Sequence, residues 1–335
     1  MASLSVITGA TGHIGYALLT ELAKTSEPLR LLLRKPSPLL EGFGCETAFG
    51  DVTDYDSLLT AFAGAQVVYH LAGIIELNAG NEDLIWKVNA EGTRNVVEAC
   101  KACGVRRLVY ASSVDAIPPA PEGEVMREIE RFSPDAVTGT YAKTKAVATR
   151  IALDGAAPDF EVVVVQPSAC IGPYDFKGSS IGEMLRMFMH FSFPVTLPFG
   201  GYNFVDVRDV AQGMIACADP AKAASKACYL LTGESMSAGD FIALCSEITG
   251  HKPPNLVLPQ ELALFFAPFA EKYYELAKKT PLFTRYSLRK IMDNSNFSYE
   301  KAARELGYRP RGARESLTDM VAWIEEYDAQ KAEKE

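Results

Sequence analysis

Apolar positions in the first half of the chain fall into short runs, separated by longer stretches in which they recur every three or four residues. The runs at 4–8, 29–33, 46–49, 67–71, 107–110 and 161–165 have the length and the mostly apolar or β-branched character of strands. The stretches between most of them, 14–24, 55–62, 84–103 and 141–153, carry amphipathic helical spacing, and the third stops at Gly104 as a glycine C-cap would stop it. Such alternation predicts an α/β fold, a Rossmann-type doubly wound parallel sheet flanked by helices with right-handed crossovers. Ligands of such sheets collect at the carboxyl ends of the strands.

The second half is less regular. Residues 174–204 are rich in Gly, Phe, Met and Pro, and 205–249 return to helix, strand and helix. Residues 250–311 are irregular again and contain LALFFAPFAEKYYEL; its LALFFAPFA part offers a surface for membrane contact but, interrupted by Pro268 and too short to span a bilayer, reads rather as a lid or core element. An amphipathic helix at about 313–327 follows, and only the terminal KAEKE reads as unstructured.

The first run leads into LSVITGATGHIG, with glycines at 9, 12 and 15. Gly9 turns the chain sharply, Gly12 lets the backbone approach a pyrophosphate, and Gly15 lets the helix pack closely on the strand. The helix beginning near His13 offers unpaired amides and the positive end of its dipole to phosphates. Residues 1–173 are therefore expected to form a dinucleotide-binding domain. Residues 174–204 and 250–311 would build a smaller substrate lobe, and 205–249 with 312–330 would return to the first domain.

Composition narrows the class. With 335 residues and 48% hydrophobic content the chain can bury a full core, and its net charge of −9 argues against a nucleic-acid partner. Seven cysteines form no paired framework and suit reduced thiols in the cytoplasm; Cys100 and Cys103 read as helix positions, with no metal site. No apolar run reaches membrane-spanning length and no leader pattern precedes the first strand, so a cytoplasmic protein with a small-molecule ligand is expected.

An acidic residue at the end of the second strand would grip the ribose hydroxyls of NAD. Arg34 and Lys35 stand there instead, and no carboxylate lies between Glu27 and Glu41. Two cations can hold a 2′-phosphate, so NADP(H) is expected ahead of NAD(H). Asp51, after the third strand, would either accept from the adenine amino group or cap the next helix.

Tyr141 and Lys145 stand four apart and share a helix face. An ammonium beside a phenol stabilises the phenolate, which makes a usable proton donor and acceptor. The strand RRLVYASS delivers Ser112 and Ser113 to the carboxyl edge, where a hydroxyl can bind a substrate oxygen. Tyr274 and Lys278 repeat the spacing without such a strand and read as helix surface.

TGATGHIG, GDVTD, HLAG, VNAEGT, YASS and YAKTK, in this order, resemble the extended short-chain dehydrogenase/reductase family, within the NAD-dependent epimerase/dehydratase superfamily. HLAGIIELNAGNEDLIWKVNAEGT and the basic end of strand two are most similar to its dihydroflavonol reductase and 3β-hydroxysteroid dehydrogenase branch. The match covers the sheet half and continues weakly into FVDVRDVA. It implies that Gly9, Thr11, Gly12, His13, Ile14 and Gly15 hold the pyrophosphate and that Arg34, with Lys35, takes the adenosine phosphate. Asp51 and Val52 would flank adenine, and Leu71, Ala72, Gly73 and Pro167 would border the nicotinamide half. Tyr141 and Lys145 would also touch the nicotinamide ribose. Ser113 would polarise the substrate, Ser112 would be structural, and Asn89 architectural. Gln166 replaces the arginine of the family's RPxxxxGP, and Gly73 stands where alanine is commoner.

The expected reaction is reversible hydride transfer between NADP(H) and a carbonyl or secondary alcohol, catalysed by Ser113, Tyr141 and Lys145. Met184, Met187, Phe188, Met189, Phe191, Phe193, Phe199, Phe265, Phe266 and Phe269 suggest either an apolar, ring-bearing substrate or simply the lobe's own core. The rival enzyme is a nucleotide-sugar epimerase or dehydratase, with Lys177, Arg186, Arg285, Arg289, Lys290, Arg304, Arg309 and Arg311 available to a diphosphate. A non-catalytic NADP(H)-sensing regulator is the alternative outside enzymes. The resemblance also implies a homodimer built on the helices of Leu84 and Tyr141.

Overall fold

The computed structural model describes residues 3–75, 81–190, 195–277 and 284–333. Phe191, Phe193 and Lys278 lie outside these, as do the side chain of Tyr274 and the last two residues of KAEKE. The strands are β1 (Ser5–Thr8), β2 (Leu29–Leu33), β3 (Glu46–Phe49), β4 (Val67–His70), β5 (Arg107–Ala111), β6 (Glu161–Pro167), β7 (Ala169–Ile171), β8 (Val195–Thr196), β9 (Gly201–Asp206), β10 (Cys228–Leu231), β11 (Glu234–Ser237) and β12 (Leu256–Val257). The helices are α1 (His13–Leu22), α2 (Tyr55–Phe62), α3 (Glu82–Trp86), α4 (Gly92–Ala102), α5 (Thr140–Gly155), α6 (Ser180–His190), α7 (Val207–Cys217), α8 (Ala238–Thr249), α9 (Gln260–Ala277), α10 (Arg285–Met292), α11 (Glu300–Leu306) and α12 (Ala313–Ala332).

Seven strands form one parallel sheet in the order β3-β2-β1-β4-β5-β6-β10. Both faces are covered, which is why these strands read as continuous apolar runs rather than alternating ones. Along β6, Val162 and Val164 face the core under α2, α4 and α5, while Val163 and Val165 face the core under α1 and α7. The strand order reverses between β1 and β4, where sheets of this kind open a crevice for ligands. This is the Rossmann-like α/β fold expected from the alternation.

Two helices differ from their sequence patterns. The stretch read as one helix over 84–103 begins at Glu82 and contains a π-helical turn, Lys87–Glu91, before α4. The terminal helix runs to Ala332, so the first two residues of KAEKE are helical rather than unstructured.

Beyond the sheet, α6, α8 and α12 share a core with β7 and β9, in which Phe188 is fully buried and the rings of Phe204 and Phe241 stack at 4.6 Å. A smaller cluster of Leu197, Ala263, Ala267, Leu288 and Ile291 joins α9 to α10. Phe188 thus belongs to a core shared with α8 and α12, whereas Phe265, Phe266 and Phe269 are exposed on α9.

Candidate active site

The sequence-derived site residues gather at the carboxyl edge of the parallel sheet, because each follows a strand: Gly9 after β1, Arg34 after β2, Asp51 after β3, Leu71 after β4, Ser112 after β5, with Pro167 ending β6. At the switch point the turn after β1 lies directly on the turn after β4. Gly9 has φ +80, and a Cβ there would sit 2.7 Å from the Ala72 nitrogen and from the Leu71 carbonyl carbon. A Cβ on Gly15 would overlap the Gly9 carbonyl oxygen. Packing therefore demands glycine at both places. Gly12 is different: a Cβ there would meet only the Gly9 oxygen, at 3.3 Å. Gly12 caps α1 without a side-chain bond, and the first turn carries no acidic residue, so the amides from His13 onward remain available to an anion.

Arg34 and Lys35 are exposed at the end of β2, as a phosphate-binding pair would be. A strap from the lobe crosses to meet them. His13 donates from Nε2 to the Pro173 carbonyl at 2.8 Å, Tyr174 adopts φ 78, and the Phe176 ring packs between Tyr16 at 4.8 Å and Trp323 at 4.9 Å. The strap holds the Lys177 ammonium 3.1 Å from Thr11 Oγ1. Burial and the Arg34 charge keep Lys177 below the usual lysine range. Asp51 does not cap α2, since Asp54 does. The Asp51 carboxylate instead accepts from the Thr53 amide at 2.9 Å, and Val52 is buried beside Gly92.

Ser113, Tyr141 and Lys145 come together, all buried, where β5 meets α5. The Ser113 side chain lies near enough to the Tyr141 phenol to favour its charged form, and Ser113 Oγ accepts from the Asp115 amide at 3.1 Å. Ser112 is turned away and bonded to Thr149 at 2.6 Å. The Lys145 ammonium donates to the Ala111 carbonyl at 2.7 Å and lies 5.1 Å above the Tyr110 ring. Gly73 borders it closely: a Cβ there would be 3.7 Å from Lys145 Nζ.

The electrostatics correct one expectation. A neighbouring lysine was expected to depress the Tyr141 phenol, yet its pKa is raised, chiefly by burial and then by Asp115, with the Ser113 side chain opposing. Desolvation outweighs proximity here, and the lysine's charge is spent on a carbonyl and a ring face. Tyr141 is a neutral phenol, the state that can donate a proton. Burial in turn pushes Lys145 down to about 8.

Of the residues that hold this arrangement, sequence reasoning named Asn89 as architectural and singled out Gln166, but it missed His70 and Thr93. His70 is fully buried, bonded through Nδ1 to Thr8 at 2.8 Å and through Nε2 to Thr93 at 3.1 Å. Thr93 donates to the Asn89 carbonyl at 2.6 Å. The Asn89 side chain, on the π turn, accepts from the Ile74 amide at 2.8 Å and donates to the Ile74 carbonyl and to Thr144 on α5. Gln166 sits behind Ser113, donating to its carbonyl at 3.4 Å, and its Oε1 has no hydrogen-bond partner among the described residues. For His70 the available signal was a polar position inside an apolar run.

Strand order and motif order together define the class, an extended short-chain dehydrogenase/reductase, and so an enzyme of that type. The chain belongs to the NAD dependent epimerase/dehydratase family, whose model matches residues 5–229. It is 32% identical to "Sterol demethylase protein B" of Methylococcus capsulatus, over 96% of this chain and 98% of that protein. It is 26% identical to a "3-beta-hydroxysteroid dehydrogenase" of Mycolicibacterium neoaurum, over 91% and 86%. The crystal structure of gox2253 superposes with a TM-score of 0.84 at 31% identity, covering 97% of this chain and 98% of that one. These relatives place the chain in the branch anticipated from its motifs, and the family establishes NAD(P) binding.

Burial, followed by the Lys145 charge, pushes His70 down from 6.5 to about 3. The unfolded chain then takes up a proton that the native state refuses, so stability is lost as pH falls from 6.5 toward 3. The melting temperature of the wild type should drop between about pH 7 and pH 5 more steeply than that of His70→Gln, and parallel curves would rule out this role.

Proposed function

We propose that this enzyme is an NADP(H)-dependent oxidoreductase that interconverts a carbonyl and a secondary alcohol on an apolar, ring-bearing substrate of the steroid, flavonoid-like or aryl-ketone class. The observation that carries the reading is the buried Ser113 and Tyr141 hydroxyl pair, with Tyr141 neutral and Lys145 one helical turn away, at the carboxyl edge of the sheet. The residues around α1 suit a dinucleotide. Gly9 and Gly15 are required by packing, whereas a Cβ on Gly12 would crowd only the Gly9 oxygen, and the uncapped amides beside it suit a pyrophosphate.

When bound, the dinucleotide supplies or accepts the hydride. Ser113 donates a hydrogen bond to the substrate oxygen and keeps it beside the Tyr141 hydroxyl. Tyr141 delivers its proton to that oxygen in reduction and takes it back in oxidation. Lys145 stabilises the phenolate left behind and holds the ribose. Leu71, Ala72 and Gly73 would form the wall on the nicotinamide side, and Asn89 holds the residue that follows them, Ile74, by its amide.

Preference for NADP(H) is supported by the facing Arg34 and Lys177 charges, which a 2′-phosphate would neutralise. The names of the two relatives, one a sterol demethylase protein and one a hydroxysteroid dehydrogenase, support a ring-bearing substrate. A sugar diphosphate is less well served, because four of its eight candidate cations are already paired: Arg186 with Asp328, Lys290 with Asp115, Arg304 with Glu305, and Arg311 with Asp209. The same reading takes the enzyme to be a cytoplasmic homodimer, formed through the helices of Leu84 and Tyr141.

Tyr141→Phe should lower kcat about 10²–10⁴-fold while leaving the NADPH dissociation constant within about twofold, and undiminished turnover would end the proposal. The Lys145 ammonium is present below its value of about 8 and lost above it. Accordingly kcat/KM for reduction should fall as pH rises through that value, and a flat profile to pH 10 would contradict the role. Arg34→Ala combined with Lys177→Ala should weaken NADPH binding about 10–100-fold and leave NADH binding unchanged; equal losses for both cofactors would assign the two cations elsewhere.

A further inference from the structure

The chain between Ser113 and α5 is fastened to the segment that follows α10. Asn294 donates from Nδ2 to the Pro121 carbonyl at 2.7 Å and to the Glu124 carbonyl at 2.8 Å. The Met126 amide donates to the Asn296 carbonyl at 2.8 Å, and the Ser298 amide donates to the Met126 carbonyl at 2.9 Å. Arg127 reaches Glu300 at 2.6 Å. The side-chain bonds join positions 170 to 173 residues apart in sequence, so they order nothing local and instead fix the loop after Ser113 against a distant part of the chain.

One further bond between these two parts reaches the candidate site. Lys290, in the last turn of α10, places Nζ 2.8 Å from Asp115 Oδ1 and 3.2 Å from Asp293 Oδ2. Asp115 bears on the chemistry in two ways. Its amide donates to Ser113 Oγ at 3.1 Å, and its carboxylate is, after burial, the main influence that disfavours the Tyr141 phenolate. A partly exposed ion pair usually contributes little, because two long side chains must be ordered to form it. Here both ends are seated beforehand. Leu288 and Ile291 bury α10, and a Cβ on Gly200 would overlap the Ile291 carbonyl oxygen. Asp115 lies in the short turn Val114–Ala116, which Ser113 caps and Ala116 buries.

The effect on Tyr141 follows from the signs of the charges. A carboxylate near a phenol disfavours the phenolate, and a cation on that carboxylate cancels part of its field. The titratable groups that bear on Tyr141 are Asp115 from the turn after β5, Tyr110 from β5 and Cys170 from β7, with Lys145 four residues along α5. Lys290 and Asp293 act on it through Asp115.

We propose that Lys290 is a positioning residue: from α10 it holds Asp115, and through Asp115 it keeps Ser113 in place and shields Tyr141 from an uncompensated carboxylate. The lobe thereby assists proton transfer without touching the reacting atoms. The kinetic part of this rests on the oxidoreductase reading above, whereas the anchoring of Asp115 does not.

The test compares the wild type with Lys290→Met, Lys290→Arg and Lys290→Met/Asp115→Asn, by hydrogen exchange across residues 112–127 and by steady-state oxidation of a secondary alcohol with NADP+. In Lys290→Met the Asp115 amide should exchange at least about threefold faster while the Met126 amide stays protected. The same variant should lose about tenfold in kcat with KM held within about threefold. Lys290→Arg keeps the charge and should recover most of both. The double variant should recover kcat but not the slow exchange, because the uncompensated charge is gone while the anchor is still missing. A merely structural pair would leave the double variant as slow as Lys290→Met, which overturns the proposal. Unchanged exchange in Lys290→Met overturns it too, and so does a raised KM with unchanged kcat, which would put Lys290 on the substrate. If the wild type oxidised no alcohol and reduced no ketone, the oxidoreductase reading would fall, and the exchange result would still support or overturn the anchoring.

Discussion

The site depends on one backbone contact. Gly9, in a left-handed conformation, touches the backbone of residues 71–72, and Gly15 touches Gly9 from the other side. These approaches bring the turn after β1, the turn after β4 and the start of α1 into one layer at the switch point of the sheet. No side chain fits between them. From that layer the Thr8, His70, Thr93 and Asn89 bonds continue to Ile74 and Thr144, and so reach the helix carrying Tyr141 and Lys145. The groups that would hold a cofactor and those that would move a proton are therefore parts of one connected frame.

Within that frame burial governs charge more than proximity does. Tyr141, Lys145 and His70 are all shifted toward their neutral forms, and desolvation is the leading cause in each. A neutral imidazole suits a connector, because its two nitrogens can then serve as one donor and one acceptor between two threonines. A lysine lowered to about 8 by burial can respond to a ligand that supplies oxygen atoms, since such contacts favour its charged form.

Much of the fold was legible because period is a one-dimensional signal: runs of buried residues gave the strands, and the glycine spacing located the turn that follows β1. The placement of candidate residues was legible where they follow a strand end, as with Ser113 and Arg34. Tertiary geometry was not. The π turn hides inside helical spacing, because its cause is the bond from Asn89 to a loop fifteen residues away. Lys177 reads as a cation of the lobe, yet its position is set by Tyr174, Phe176 and His13. Helical periodicity cannot say which side of a helix packs inward, and on α9 the alanines won that place.

The widened turn at Lys87–Glu91 makes chain length, and not only residue type, a constraint on this protein. Removing one residue there would restore a regular helix and swing Asn89 by about 100° away from Ile74 and Thr144. Outward-facing positions of α3 and α4 can drift freely in sequence, but an insertion or deletion between them would unhook the loop after β4 from α5. Among descendants of this chain, substitutions should accumulate across that stretch while its count of residues stays fixed.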